Sequence, residues 1–338
     1  MDPSSVRDAT RVPHGGSTDP DVIDFSANVN PELPAAARDA YDDAFDASRR
    51  YPDDAYPDFR AAAADYVGCD PRQVIPTAGG LAALRLAFET HLEPGDNVLL
   101  PAPSFGEYAR EADLQGATTD FVAPVELLDA DPADYDLVVA CTPNNPTGEL
   151  LPPDELRAFA AACRATDTLL VVDEAFLGFT DAPSLAGTRG VVVARSLTKL
   201  FGLPGLRAGF AVATGDTLNA LEVARPTWGL GTPATRVGAA AMRDHEFVEA
   251  TRERVRSERA RLTERLASLG VNVRPSDAPF LLLDVGETPA ELVADCRERG
   301  IVLRDATTFR GLDSHVRVAV RAPAENDQLL EVLADVRD

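Results

Sequence analysis

One amine stands out among the side chains that could react. Lys+Arg total 32, and reading the chain through finds a single lysine, Lys199, so 32 less one leaves 31 arginines. Arginine replaces lysine as a surface charge, but its guanidinium keeps its proton and cannot act as an amine nucleophile. A lysine kept where arginine is otherwise used suits amine chemistry such as a Schiff base. A solvated charge is the alternative, and the count alone does not separate the two. Other groups with chemistry to offer lie in short polar stretches. These are the aromatic ring of Phe105, the amide of Asn145, the carboxylate of Asp173, and Ser196 and Arg207 on either side of the lysine. The turn Thr77-Ala78-Gly79-Gly80 leads into a helical pattern. Free backbone N–H groups at a helix start suit a phosphate, and a plain glycine turn would read the same way.

The elements that must position these groups are legible from apolar runs. Residues 98–100, 137–140, 169–172 and 191–194 are runs of strand length separated by helical or polar stretches, one of them the helix predicted over 152–165. Continuous apolar strands alternating with helices predict a mainly parallel sheet covered on both faces. Ligands bind beyond the carboxyl ends of strands in such sheets. Three of those ends lead into Phe105, Asn145 and Asp173, and a fourth begins the Lys199 stretch. An amphipathic helix is expected from 233 to 269 with a break near Asp244, followed by strands at 280–283, 301–304 and 316–320 around a helix at 289–300. We therefore expect an N-terminal arm with part of a small domain at 1–45, a large cofactor domain at 46–230, and a small C-terminal α+β domain at 231–338.

Composition narrows the partners. The formal net charge is -23, which repels nucleic-acid phosphates. With so little lysine, the acidity resembles a surface adapted to high salt, where counterions screen self-repulsion. Four scattered cysteines without a CxxC and four histidines without a ligand pair indicate neither disulfides nor a metal site. The first residues lack the apolar run of a signal peptide, and no segment reaches the length of a membrane span. A cytoplasmic protein is expected.

A lysine-linked pyridoxal 5'-phosphate needs an amine, a carboxylate for the pyridine nitrogen, a phosphate cradle and something flat over the ring. Lys199, Asp173, the Ala78-Gly79-Gly80 turn with Ser196 and Arg207, and Phe105 supply these parts. Ser196-Leu-Thr-Lys199 continuing to Gly202, Gly205, Arg207 and Gly209 resembles the lysine signature of the class I/II aminotransferases. Asn145-Pro-Thr-Gly148 and Asp173-Glu-Ala-Phe176 resemble the other two signatures, in order. The resemblance implies a type I fold, in which a large domain with a mostly parallel seven-stranded sheet between helices joins a smaller α+β domain. It implies that Asn145 meets the cofactor's phenolic oxygen and that Phe105 stacks on the ring. Arg317 would bind the substrate carboxylate. Tyr51 would reach the phosphate of the neighbouring subunit, so a homodimer is implied. Many relatives carry Tyr where this chain has Phe176, so one hydrogen bond to the phenolic oxygen is absent here.

Two branches of that family compete. His14-Gly-Gly16, the segment from Asp24 through Asn28 and Asn30 to Pro31, and the run from Arg304 to Leu312 resemble threonine-phosphate decarboxylases of cobalamin synthesis. Histidinol-phosphate aminotransferases are close to these and usually show Asn-Glu-Asn-Pro at the second of those sites. Either implies a phosphorylated amine or amino acid as substrate, with His14, Asn28, Asn30, Arg304 and Arg317 around it. Arg310 serves as a further phosphate ligand or as a surface charge. Ser196-Leu-Thr-Lys199 also fits the SxxK motif of serine acyl-enzymes, but those need a later Lys-Thr-Gly and the chain has no second lysine.

Overall fold

In the computed structural model the apolar runs become strands whose two faces are both covered. The structure describes residues 1–286 and 289–337. Its strands are β1 (Ile23–Asp24), β2 (Val74–Thr77), β3 (Asn97–Pro101), β4 (Thr118–Val122), β5 (Leu137–Cys141), β6 (Leu169–Asp173), β7 (Val191–Ser196), β8 (Gly209–Val212), β9 (Asn272–Val273), β10 (Phe280–Asp284), β11 (Ile301–Val302), β12 (Arg304–Asp305) and β13 (His315–Ala319). Seven of them form one sheet in the order β2-β8-β7-β6-β5-β3-β4. All its pairings are parallel except those of β8, which runs against both of its neighbours. Two reversals cancel, so β2 points the same way as β7, and six strands bring their carboxyl ends to one edge.

Alternate residues of the central strands serve opposite faces. Val138, Ala140, Leu170, Val172 and Val193 pack on one side with Phe59, Phe159 and Phe210. Leu137, Val139, Val171, Val192 and Ala194 pack on the other with Leu84, Phe88 and Tyr108. Each such side chain taken fully out of water stabilises the fold by about 1.5–3 kcal/mol. Parallel neighbours need crossovers. The helices Glu107–Gln115 and Pro153–Ala165 provide them for β3–β4 and β5–β6, Gly80–His91 joins β2 to the more distant β3, and all three lay their apolar stripes on the sheet.

The C-terminal third is an antiparallel sheet, β12-β13-β10-β9, packed with the helices His245–Ser268 and Pro323–Arg337. The break expected near Asp244 falls there, since its carboxylate accepts from Phe247 N–H at 3.0 Å and caps the second of two helices. One expectation is corrected. Residues 301–304 are not a single strand: β11 pairs in parallel with β1, whereas β12 joins β13 in the antiparallel sheet. Four apolar-to-basic residues carry no period long enough to reveal a change of partner. No helix among the described residues is long and apolar enough to cross a membrane.

Candidate active site

At the shared edge of the large sheet lies a cavity of about 370 Å³. Five of the six co-directed strands contribute to it, all but the edge strand β4. The loop after β3 brings Phe105, β5 ends in Cys141 and leads to Asn145, β6 ends in Asp173, β7 in Ser196 and then Thr198 and Lys199, and Gly80 starts the helix after β2. The arm at residues 12–15 and the segment 26–28 close it from one side, and Arg304, Phe309 and Arg317 from the C-terminal sheet close it from another. Residues 300 apart in sequence therefore face one volume.

Lys199 is mostly buried, and loss of water, followed by the like charges of Arg317 and Arg207, depresses its ammonium from 10.5 to about 8. Asp173 and Asp24 pull the other way. Asp173 is only 7% exposed, and burial pushes its carboxyl up. Its oxygens are held separately, as Tyr108 O–H donates to Oδ2 at 2.6 Å and Ala175 N–H donates to Oδ1 at 3.0 Å. Arg317 donates through Nη1 to Asn145 Oδ1 and through Nη2 to Ser26 O at 2.8 Å, while its buried Nε has no partner. Burial and the charge of Arg304 bring its guanidinium down to about 9. Arg304 donates to Pro13 O and Thr308 Oγ1, both at 2.8 Å. Asn28 is 4% exposed and its Oδ1 has no partner. His14 Nε2 meets Glu107 Oε1 at 2.9 Å, with its ring 5.7 Å from that of Phe105.

The phosphate-like end is built from backbone. Gly79 has φ +98, and a Cβ there would lie 2.6 Å from Arg207 Nη2, so only glycine lets the guanidinium come this close. Ser196 Oγ and Thr198 Oγ1 are 2.8 Å apart beside Gly80. Ala78 is exposed and offers its backbone only. Among the described residues, no group of three or more His, Cys, Asp or Glu could hold a metal ion.

Some expected residues sit elsewhere. Asn30 does not face the cavity: its amide donates to Leu200 O at 2.8 Å and Thr251 Oγ1 at 3.2 Å, and its oxygen accepts from Arg254 at 2.5 Å, which uses the whole side chain in the scaffold. The tight turn joining Val29 N–H to Ala27 O at 2.8 Å sends Asn28 and Asn30 in different directions. Arg310 lies over the Phe121 ring, 3.9 Å from its centre, outside the cavity lining. Tyr51 is 78% exposed, stacked on Trp228 at 4.3 Å, and does not line its own chain's cavity. Two residues were not singled out from sequence. Tyr108 and Thr198 stand three residues from Phe105 and one from Lys199, and one-turn spacing from Phe105 was the available signal for the tyrosine.

The family model described as aminotransferase class I and II matches residues 20–334. The chain belongs to that family. Among relatives of this class I/II chain, histidinol-phosphate aminotransferase 1 of Archaeoglobus fulgidus is 31% identical over 93% of this chain and 99% of its own. Threonine-phosphate decarboxylase of Salmonella typhimurium is 31% identical over 98% of this chain and 95% of its own. The crystal structure of the histidinol-phosphate aminotransferase from Clostridium acetobutylicum superimposes with a TM-score of 0.86 at 23% identity, covering 93% of this chain and 98% of that one. This likeness shows the type I fold. The chain is a pyridoxal-phosphate enzyme. Its cavity fits that group: it holds an amine whose proton is loosely bound, a buried carboxylate with lone pairs to spare, and a glycine cradle against an arginine.

Proposed function

We propose that this aminotransferase-family enzyme decarboxylates an O-phosphorylated amino acid, with O-phospho-L-threonine as substrate. One observation carries the reading. Arg207, Arg304 and Arg317 face the same cavity, and none of them pairs with a carboxylate in any described salt bridge, in a chain whose net charge is -23. Arginines crowded together and left unpaired are stabilised by anions. Arg207, with Ser196 and the backbone of Ala78, Gly79 and Gly80, would take the cofactor's phosphate. Two arginines remain, which matches a substrate with both a carboxylate and a phosphate.

When bound, pyridoxal phosphate supplies an electron sink for the bonds of the substrate's α-carbon. The chain's own residues do the rest. Lys199 is the attachment point, and afterwards its Nζ holds or returns a proton. Asp173 would face the ring nitrogen, Asn145 the phenolic oxygen, and Phe105 the ring face. Arg317, held by Asn145 and Ser26 and with its buried Nε unpartnered, would take the α-carboxylate. Arg304, His14 and the side-chain amide N–H groups of Asn28 would surround the phosphorylated end. By holding the substrate's torsion, the arginines would select whether the carboxylate or the hydrogen leaves the α-carbon.

Exposed Tyr51 and Trp228 support a homodimer in which Tyr51 serves the neighbouring cofactor phosphate. Part of 1–45 with 231–338 forms the small domain and 46–230 the large one. The acidity fits a salt-rich cytoplasm.

A visible band that vanishes on borohydride treatment and is missing in Lys199→Ala tests the attachment. O-phosphothreonine should then release CO2 and phosphoaminopropanol. The relatives named histidinol-phosphate aminotransferase favour a second reading, transamination of histidinol phosphate. Glutamate made from histidinol phosphate and 2-oxoglutarate, without CO2 from phosphothreonine, would replace the first reading with the second.

A further inference from the structure

The floor of the cavity contains a group for which the cofactor chemistry above has no use. Tyr108, in the first turn of the helix Glu107–Gln115, is 1% exposed and packs edge-on against Phe105 at 5.6 Å. A phenylalanine would fill the same space. The hydroxyl therefore needs its own explanation, and its one donated hydrogen bond, 2.6 Å long, goes to Asp173 Oδ2. We propose that Tyr108 is a positioning residue: its O–H fixes the Asp173 carboxylate so that the cofactor's ring nitrogen, and not the carboxylate, keeps the proton between them. This rests on the reading that Asp173 faces the ring nitrogen.

Two donors divide the carboxylate between them, Tyr108 on Oδ2 and Ala175 N–H on Oδ1, leaving one lone pair in a fixed direction on each oxygen. Donated hydrogen bonds make a carboxylate a weaker base. Burial raises the basicity of Asp173 even with both donors in place; without the Tyr108 donor it rises further, and the proton shared with a pyridine nitrogen moves toward the oxygen. A neutral ring is a poorer electron sink. The groups facing this pair do not offer a substitute. Burial and the Asp173 charge push the Tyr108 phenol well above its ordinary value, so it remains a donor. The Cys141 thiol beside it is pushed up for the same two reasons. Lys199 and Arg195 act on Asp173 by charge alone.

The test uses the full-length enzyme loaded with ring-15N pyridoxal phosphate. In Tyr108→Phe the 15N resonance should move toward the neutral-pyridine value. A less positive ring holds protons elsewhere on the cofactor more tightly, so the visible band should also titrate about one pH unit higher, the size of one hydrogen bond to a charged group. A wild-type resonance and an unchanged midpoint would overturn the proposal. Asp173→Asn separates the two layers of inference. If that variant leaves the resonance unmoved, Asp173 does not face the ring nitrogen and the underlying reading fails. If it moves the resonance and Tyr108→Phe does not, only the role of Tyr108 fails. Should Tyr108→Phe not fold or not hold cofactor, 3-fluorotyrosine at position 108 keeps the shape and donates more strongly. The midpoint should then fall, and an unchanged value would overturn the proposal.

Discussion

Lys199 sits among charges of its own sign. Burial and the two arginines Arg317 and Arg207 outweigh Asp173, and the amine loses its proton near pH 8 in the cofactor-free protein. The direction is that of a base whose charged form is disfavoured, so the neutral nucleophile prevails above about 8 and not above its ordinary 10.5. Because the chain has no other lysine, peptide mapping of an amine-reactive label separates this side chain from the α-amine of Met1. Labelling of Lys199 should be half-maximal near pH 8, and a profile that rises only near pH 10 would refute the crowding argument. That the lysine, Asp173 and Asn145 would meet at one edge of the sheet was legible in the sequence because each follows an apolar strand in a short polar stretch. Tyr108 was not, since nothing in a helix-start tyrosine says which carboxylate its hydroxyl will meet. Asn30 was misread for a related reason: a single turn of backbone decides whether an asparagine faces a ligand or the scaffold.

The start of the helix Gly80–His91 shows how an element carries a site that none of its side chains makes. Gly79 occupies a backbone region that side chains rarely adopt, with φ +98 and ψ 168, and the Arg207 guanidinium fills the place of its missing Cβ. Gly79→Ala should cost about 1–3 kcal/mol of stability from backbone strain, and Arg207 must also withdraw. We expect a lower melting temperature together with at least tenfold weaker cofactor binding in a fluorescence titration. A variant that melts earlier but binds pyridoxal phosphate as before would show that the arginine does not hold its phosphate. The sheet and its crossovers were legible because apolar runs and helical stripes differ in period. The split of 301–304 between two sheets was not, because strand partnership depends on residues far away in the chain.

At the scale of the whole molecule the dominant fact is charge. Fifty-five acidic side chains against 32 basic ones spread self-repulsion over 15018 Å² of surface, and many of the arginines are already committed to ion pairs such as Arg60–Glu222, Arg85–Glu111 and Arg225–Asp54. Screening lengths shrink from about 10 Å at 0.1 M salt to about 3 Å at 1 M, so added salt removes repulsion faster than it weakens the short, partly buried pairs. The melting temperature should rise by several degrees between 0.1 and 2 M KCl. A flat or falling curve would mean that the pairs, not the excess charge, govern stability.

The parallel pairing of β1 with β11 is joined by two further contacts, Ala319 N–H to Phe25 O at 2.9 Å and Arg317 to Ser26 O at 2.8 Å. Together they set an order of events during synthesis. Chain elongation proceeds at about 5–20 residues per second, so Ser26 and Asn28 emerge from the ribosome well before the strands they depend on. Until β11 and β13 have been made, the segment carrying them has no sheet to join, although β2 through β8 can already assemble. The wall of the cavity made by Ser26, Asn28 and Arg317 is thus completed last, and a nascent chain stalled before His315 would lack it.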